Sequence, residues 1–459
     1  MDVLIAGAGP TGLTLAHELA RAGVDVTVVE RLTTRLEQMK GGTIQPRTAE
    51  LLDQRGLLDP MLARALPRNV EGGHFGLLPV PLDARPWHTR YPVPISVPQW
   101  MVEEELERAA GVPVLRGHEV TAVEQDEDGV TVTANGRRLR ARYLVACDGA
   151  HSTVRKLLGV PFPGRPGTYR AVLTDIRLAS ASDLVPKEAG HISKLTREGG
   201  GYWGMLVPIG ELKYRFTFGR KGDTAEDEVQ QALTAIYGDQ TRLAEVLTSS
   251  RFSDSTRQLE QYRHGRVLFA GDAAHIHPPL GGQGLNLGVQ DALNLGWKLA
   301  AKLAGRVDLL DTYQDERHPP AARVLHHTAA QRVLANPNPD PDVLALREIF
   351  TDLLRLPDTN RHLAGMMSGL DAPGRVPDLD LVTADGPVRL AELLRSGRGL
   401  LLDFGEHDWP EGWADRVDVV RVKGESDADA MLLRPDGVVC WSGDGAVTDA
   451  LTRWFGHAV

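Results

Sequence analysis

The spacing of apolar positions changes several times along the chain. "DVLIAGAG" is an apolar, strand-forming run that ends in glycines. "TGLTLAHELARAG" then sets Leu13, Ala16, Leu19 and Ala20 on one helical face, with Gly23 as its C-terminal stop. "VDVTVVE" returns to strand, so the chain opens with a strand–turn–helix–strand unit. A connector from Arg31 to Pro46 leads to a predicted helix over "PRTAELLDQRGLLDPML". "PVPISVPQWMVEEELERAA" joins an extended piece to another helix. Further strands follow, with hairpin turns predicted at Asp128-Gly129 and Asn135-Gly136. From about Tyr169 to Arg257 the pattern is mostly β, in "YRAVLTDIRL", "GYWGMLVPI" and "KYRFTFGR", with one helix at "AEDEVQQALTAIYG". Helices run from about Gly284 to Met367, broken by the loop "ANPNPDPD". After Pro373 a compact βαβ-type tail is predicted from "VRLAELLRSGRGLLLDFG", "VDVVRVKG" and "AMLLRPDGVVCWSG". The fold class is α/β.

At 459 residues the chain is long enough for two or three domains. Its net charge of −10 argues against nucleic acid or an anionic membrane as partner. No apolar run approaches the ~18 residues of a spanning helix. The N-terminus enters a strand at once, without a basic leader or cleavage site. The two cysteines, Cys147 and Cys440, are too few for a disulfide framework or a zinc site and read as small buried hydrophobes. A reducing, cytoplasmic setting is expected.

The segment "GAGPTG" supplies Gly7, Gly9, Pro10, Thr11 and Gly12 between a strand and a helix. Glycines there let main-chain N–H groups approach a pyrophosphate, and the helix N-terminus favours its charge. Glu30, at the end of the second strand, can accept hydrogen bonds from a ribose diol and disfavours a 2′-phosphate. Arg31 follows it on the cofactor side. The expected ligand is FAD or NAD, not NADP, and this motif alone does not choose between them.

Two further motifs choose. "CDGAHSTVRKLLG" carries Asp148 and Arg155 in a D-G-x-x-S-x-V-R pattern, and "FAGDAAHIHP" carries Gly271 and Asp272. With these in order, residues 1 to about 330 resemble the class A flavoprotein monooxygenases, the group of para-hydroxybenzoate hydroxylase. The resemblance implies a Rossmann-like FAD-binding domain at 1–170 plus 256–330. It also implies a β-sheet substrate domain at 171–255 with part of 70–98, and a helical linker region at 331–372.

It further implies roles. Asp272 would hold the ribityl chain, with a helix or turn cap as its structural reading. Asp148 and Arg155 belong to the motif linked to FAD and nicotinamide, with a surface ion pair as the alternative for Arg155. Gln99 stands where a family glutamine touches FAD, and Val123 joins the cofactor set. "PPLGGQGLNLG" resembles the loop against the isoalloxazine ring. There Gly281, Gly282 and Gly284 would bring amides to the ring, and the helix beginning near Leu285 would stabilise negative charge on reduced flavin. Asn286 is a candidate flavin contact. Pro278, Pro279 and Gly282 would sit near flavin carbon 4a, with no dedicated base assigned. His275 and His277 lack further ligands for a metal site, so structural imidazoles are expected, with proton traffic at His277 as a further reading. Many family members carry an R-x-R-G pattern after the acidic residue. This chain has Lys40 near there, so Lys40, Arg35 or Arg47 would supply the phosphate-facing charge.

The tail at 373–459 resembles the thioredoxin-like domain of phenol hydroxylase and rifampicin monooxygenase, without a C-x-x-C pair. No second G-x-G-x-x-G occurs, which fits transient binding of NADPH or NADH. The implied activity is hydroxylation of a bulky polycyclic aromatic, of polyketide or antibiotic type, with O2 activated as a flavin C4a-hydroperoxide. Tyr202, Trp203 and Met205 are candidates for the substrate wall, with ordinary packing as the alternative for each. A Baeyer–Villiger or epoxidising enzyme on the same scaffold, and a flavoprotein that shelters a reactive intermediate without turnover, stay open. A halogenase is disfavoured because "YWGMLVPI" lacks the second Trp of that group's motif. A monomer or homodimer is expected.

Overall fold

The apolar run Val3–Ala6 is fully buried at the middle of a six-stranded sheet. Val26–Glu30 and Tyr143–Ala146 flank it in parallel register. Val114–Arg116 continues the sheet on one side and Val267–Phe269 on the other, also parallel. The central strands read as unbroken apolar runs because their neighbours cover them on both faces. Helices Pro10–Arg21 and Gly284–Leu303 pack together against this core, and helix Gln99–Ala110 packs on the first of them. A computed structural model of the protein describes residues 1–37, 41–66, 72–336, 339–405 and 407–459.

Hairpin chemistry follows the sequence. Asn135 and Gly136 both adopt positive φ, +47° and +73°, which the tight primed turn demands. At the other turn the Asp126 carboxylate accepts from the Asp128 and Gly129 amides. The helix expected over Pro46 to Leu62 is two, Pro46–Asp53 and Leu58–Leu62. Gly56, in left-handed conformation at φ +68°, breaks it.

The second sheet has five antiparallel strands, in the order Thr196–Gly199, Tyr202–Gly210, Lys213–Arg220, Arg170–Ser180 and Arg242–Ser253. Helix Val229–Tyr237 covers one face, against Leu206, Phe216 and Phe218. The last strand, at the edge, has no clean alternation because Val246 and Leu247 are exposed beside polar positions and its register is broken by bulges.

Helix Leu310–Leu334 crosses positions 330 and 331, where a boundary was expected. With Pro341–Leu354 and Pro357–Ser368 it buries Leu334, Leu354, Leu363 and Met367 against Phe75, Leu78 and Leu82. These helices are a wall of the cleft described below, not a simple linker.

The tail forms a four-stranded sheet, Val417–Arg421, Gly399–Asp403, Ala430–Leu433 and Val439–Trp441, with the first pair parallel and the others antiparallel. A buried polar network docks it. Arg434 donates to Glu316 at 2.7 and 2.8 Å and to Asp436 at 2.7 and 3.0 Å, and its guanidinium lies over Trp454 and Trp297. Lys298, fully buried, bonds Glu316 and Asn294. Burial pulls the Lys298 amine down to about 8 against the attraction of Glu316 and Asp436. Cys147 is buried, whereas Cys440 is only partly so, and burial pushes its thiol up to about 12. Among the described residues no helix is long and apolar enough to cross a membrane.

Candidate active site

A continuous cleft of about 3150 Å³ runs from the first glycine turn to the five-stranded sheet. At its first end the three glycines have different tasks. A Cβ on Gly7 would stand 2.4 Å from the Cys147 carbonyl oxygen, and one on Gly12 would stand 2.1 Å from the Gly7 carbonyl oxygen. Both are needed for backbone packing. Gly9 has nothing within 4 Å and opens on the cleft, with Pro10 and Thr11 beside it. This is the cradle that a pyrophosphate needs, and a Cβ at Gly9 would fill it. The Glu30 carboxylate is oriented by the Ala8 and Leu32 amides, each at 2.9 Å, and faces the cleft with Arg31. These residues fit the diphosphate and ribose of FAD.

The Asp148 carboxylate lines the cleft and caps the helix Thr153–Leu157, accepting from the Thr153 amide at 2.7 Å and the Val154 amide at 3.0 Å. Its other oxygen is buried without a hydrogen-bond partner among the described residues. Arg155 is not a surface ion pair. It is 6 % exposed and donates to the Ala273 and Ala150 carbonyls, both at 2.9 Å, with its guanidinium stacked on Phe162. It ties the D-G motif to the turn at Gly271–Ala273, while its edge still reaches the cleft.

Thr11 is wedged under that turn: a Cβ on Gly271 or Gly288 would meet its Oγ1 at 2.5 or 2.2 Å. Gly271 itself does not line the cleft, but exposed Asp272 does. The turn's amide is held by Asp291, which sequence reading missed. Asp291 accepts from Gly271 N at 3.1 Å and His275 Nε2 at 2.7 Å, both buried, and from half-buried Arg317 Nε at 2.8 Å. Burial opposes its charge, yet His275 and Arg317 hold its carboxyl below the ordinary range. His275 is therefore a structural imidazole.

At the ring loop, Pro279, Gly281, Gly282, Gly284 and Leu285 line the cleft. Gly281 and Gly282 adopt φ +80° and +62°, and a Cβ on Gly281 would stand 2.2 Å from Met367. Two expectations are corrected here. Pro278 is buried out of the cleft, its carbonyl accepting from His277 Nδ1 at 2.7 Å. Asn286 spends its side chain on protein, accepting from Gln45 N at 2.7 Å and donating to the Thr43 and Gly282 carbonyls at 2.8 and 2.7 Å. Its side chain fixes the loop and does not line the cleft. Gln45, also missed, lines the cleft and donates to the Gly281 carbonyl at 2.7 Å. His277 lines the cleft too, and burial pulls its imidazole down to about 4.

Gln99 reaches the cleft and donates to Glu103 at 2.8 Å. Val123 does not. It packs against the main core on strand Val120–Gln125, and Val120 reaches the cleft instead. Lys40 lies outside the described residues. Arg35 lines the cleft and pairs with Glu103 and Glu107, whereas Arg47 is buried on Glu50 and away from it. Among the described residues no group of three or more His, Cys, Asp or Glu stands in a metal-holding arrangement.

The far end is floored by the open face of the five-stranded sheet. Trp203 and Met205 point into the cleft beside Leu173, Thr217 and Arg215. The Trp203 indole lies across Gly219, where a Cβ would stand 2.9 Å from it. Arg215 is fixed by two bonds to Asp175, at 2.9 and 3.1 Å. Tyr202 is corrected: alternation along the strand turns it to the opposite face, where it packs by Phe218 and bonds Glu228.

Comparison with known proteins agrees with this geometry. Residues 1–328 match the FAD binding domain family, and residues 372–458 match the family described as aromatic-ring hydroxylase, C-terminal. The chain is 44 % identical to a 12-dehydrotetracycline 5-monooxygenase/anhydrotetracycline 6-monooxygenase of Streptomyces rimosus, covering 99 % of each chain. It is 41 % identical to a rifampicin monooxygenase of Streptomyces venezuelae, over 100 % of this chain and 99 % of the relative. Its fold superposes on the solved anhydrotetracycline hydroxylase from Streptomyces rimosus with a TM-score of 0.90 and 43 % identity, covering 100 % of this chain and 99 % of the other. A glycine cradle, a ribose-facing Glu30 and a ring loop on one cleft, within these family matches, establish that the chain belongs to the FAD-dependent aromatic-ring hydroxylases and is a flavin monooxygenase.

Proposed function

We propose that the enzyme hydroxylates a bulky polycyclic aromatic of the polyketide or antibiotic type, using NADPH or NADH as transient electron donor. The observation that carries this reading is the single cleft joining Gly9 and Glu30 to Trp203 and Met205. Its volume of about 3150 Å³ far exceeds the ~300–1,000 Å³ of an ordinary small-ligand pocket, so FAD leaves room for a large second ligand. The relatives named for tetracycline and rifampicin chemistry support the same class.

When bound, FAD supplies the redox chemistry with oxygen. The protein's residues bind, orient and exclude water. Gly9, Thr11 and Glu30 receive the diphosphate and ribose, and Asp272 receives the ribityl chain. The amides of Gly281, Gly282 and Gly284, at the start of a 20-residue helix, offer positive dipole to negative charge on the ring. Leu280 and Met367 screen that side from water. Trp203 and Met205 offer an apolar surface to an aromatic substrate.

The test is oxidation of NADPH and NADH by the purified yellow protein, with and without polycyclic phenols, with product followed by mass. Stimulated oxidation and a product heavier by one oxygen are expected, and product structure separates ring hydroxylation from Baeyer–Villiger insertion or epoxidation. Bound FAD without nicotinamide turnover under any condition would overturn the reading in favour of a sheltering flavoprotein.

A further inference from the structure

Two histidines that the cofactor does not need reach the cleft from separate segments. His74 stands on a tight loop closed by the antiparallel bridge between Gly73 and Leu82, where Leu82 N donates to the Gly73 carbonyl at 2.9 Å. Leu77, a bulky residue at φ +61°, sits in the same loop. Such left-handed strain persists only where the surroundings over-determine it. Here the Gly76 amide is pinned to Gln331 Oε1 at 3.1 Å, and Leu334 fills the space beside Gly76. The loop therefore presents His74 rigidly. His74 Nδ1 is buried and has no hydrogen-bond partner among the described residues, an arrangement that costs stability unless something else uses it.

His191 comes from the five-stranded-sheet side, just before Ile192–Leu195. It is 5 % exposed, lines the cleft, and is oriented by Ser193 Oγ at 2.8 Å from its Nδ1. The two rings are close enough that charge on His191 disfavours charge on His74. Burial, with His191 second, brings the His74 imidazole down to about 4, so it is neutral near pH 7. The neutral His74 imidazole offers one donor and one acceptor and no net charge. That suits an uncharged oxygen pair better than a carboxylate.

We propose that His74 and His191 form a clamp for the oxygenated edge of the substrate, a phenol or enol beside a carbonyl, whose aromatic body lies on Trp203 and Met205. This rests on the polycyclic-aromatic reading of the cleft and adds the group that is recognised. The pair holds the ring system by its oxygens and so sets which carbon faces the flavin; both are substrate-positioning residues.

The test uses the FAD-loaded protein without nicotinamide. Binding of 1,8-dihydroxyanthraquinone and of its 1,8-dimethoxy ether is read from the flavin absorbance change. His74→Phe and His191→Phe are each expected to weaken the dihydroxy compound by about tenfold, the loss for one buried hydrogen bond, and to weaken the dimethoxy ether, which keeps its acceptor oxygens but has no hydroxyl to donate, by clearly less. His74→Asn, which keeps a hydrogen-bonding group in the loop, is expected to retain most of the affinity and guards against a folding artefact. Flavin content and thermal midpoint are read for each variant. Equal losses for the two quinones, or no loss for either, would overturn the clamp while leaving the polycyclic reading in place. Failure of the wild-type protein to bind either ring system would overturn the polycyclic reading and the clamp with it.

Discussion

At one end of the cleft the main chain makes the binding surface; at the other, side chains make it. Around Gly7, Gly9 and Gly12 the cradle exists because Cβ atoms are missing and amides are exposed. Around Trp203, Met205 and Arg215 the surface is the exposed face of a sheet whose other face is a packed core. The first kind of site tolerates almost no substitution, because it is defined by backbone approach. The second can change residue by residue while its scaffold stands, which suits a family whose relatives take different substrates.

The largest contrast should appear within the glycine turn. Gly12→Ala would force its Cβ against the Gly7 carbonyl oxygen, and we expect a loss of stability above about 3 kcal/mol together with loss of FAD. Gly9→Ala faces open space, so the apoprotein should melt near the wild-type temperature while FAD affinity falls at least about tenfold. Thermal unfolding of the apoprotein and FAD titration check both. If the two variants behave alike, the division of labour among the glycines is wrong.

A smaller effect separates adjacent residues on one strand. Trp203→Ala should weaken a polycyclic aromatic by about tenfold through lost ring contact, with FAD binding untouched. Tyr202→Phe should leave that affinity alone and lower stability by about 1 kcal/mol, through loss of its bond to Glu228. Substrate titration and denaturant melts of the pair read the difference directly.

A further expected effect is an acid response on the helix after the glycine turn. Glu18, on the helix after the glycine turn, is buried with Arg55. Burial works against its charge, but Arg55, His17 and Arg21 outweigh it and hold its carboxyl near 2, below the ordinary 4.5. A lowered carboxyl contributes stability that is full above about 4.5 and is lost as pH falls toward 2. In that window Glu18→Gln should melt with a shallower pH dependence than the wild type. An unchanged pH profile would remove Glu18 from the account.

The glycine turn, Glu30 and the Asn135-Gly136 hairpin were legible in the sequence because each is a local demand on a few neighbouring residues. Gln45 and the wedge of Thr11 between Gly271 and Gly288 were not, because their partners lie far along the chain, and Asp291 was not, because its partners stand on three other elements. The same distance hid the structural use of Asn286 and the buried clamp of Arg155. Tyr202 is a different case, because the signal was present. In "KYRFTFGR" Tyr214, Phe216 and Phe218 alternate with Arg215, Thr217 and Gly219, which marks the aromatic set as the core face. Carrying that alternation across to Tyr202, Gly204 and Leu206 would have separated Tyr202 from Trp203 and Met205.

The network at Arg434 has a consequence for the order in which the protein is made. Glu316 and Lys298 are synthesised early, yet Arg434 is joined to Glu316 across 118 positions of sequence. Until that strand emerges, two helices behind the flavin loop carry buried-type charges with an incomplete set of partners. The nascent flavin domain should therefore remain loosened along Gly284–Leu303, the helix that begins at the ring loop, and mature only when the tail docks. Cofactor capture would then report docking of the tail, which would act as a late checkpoint on assembly.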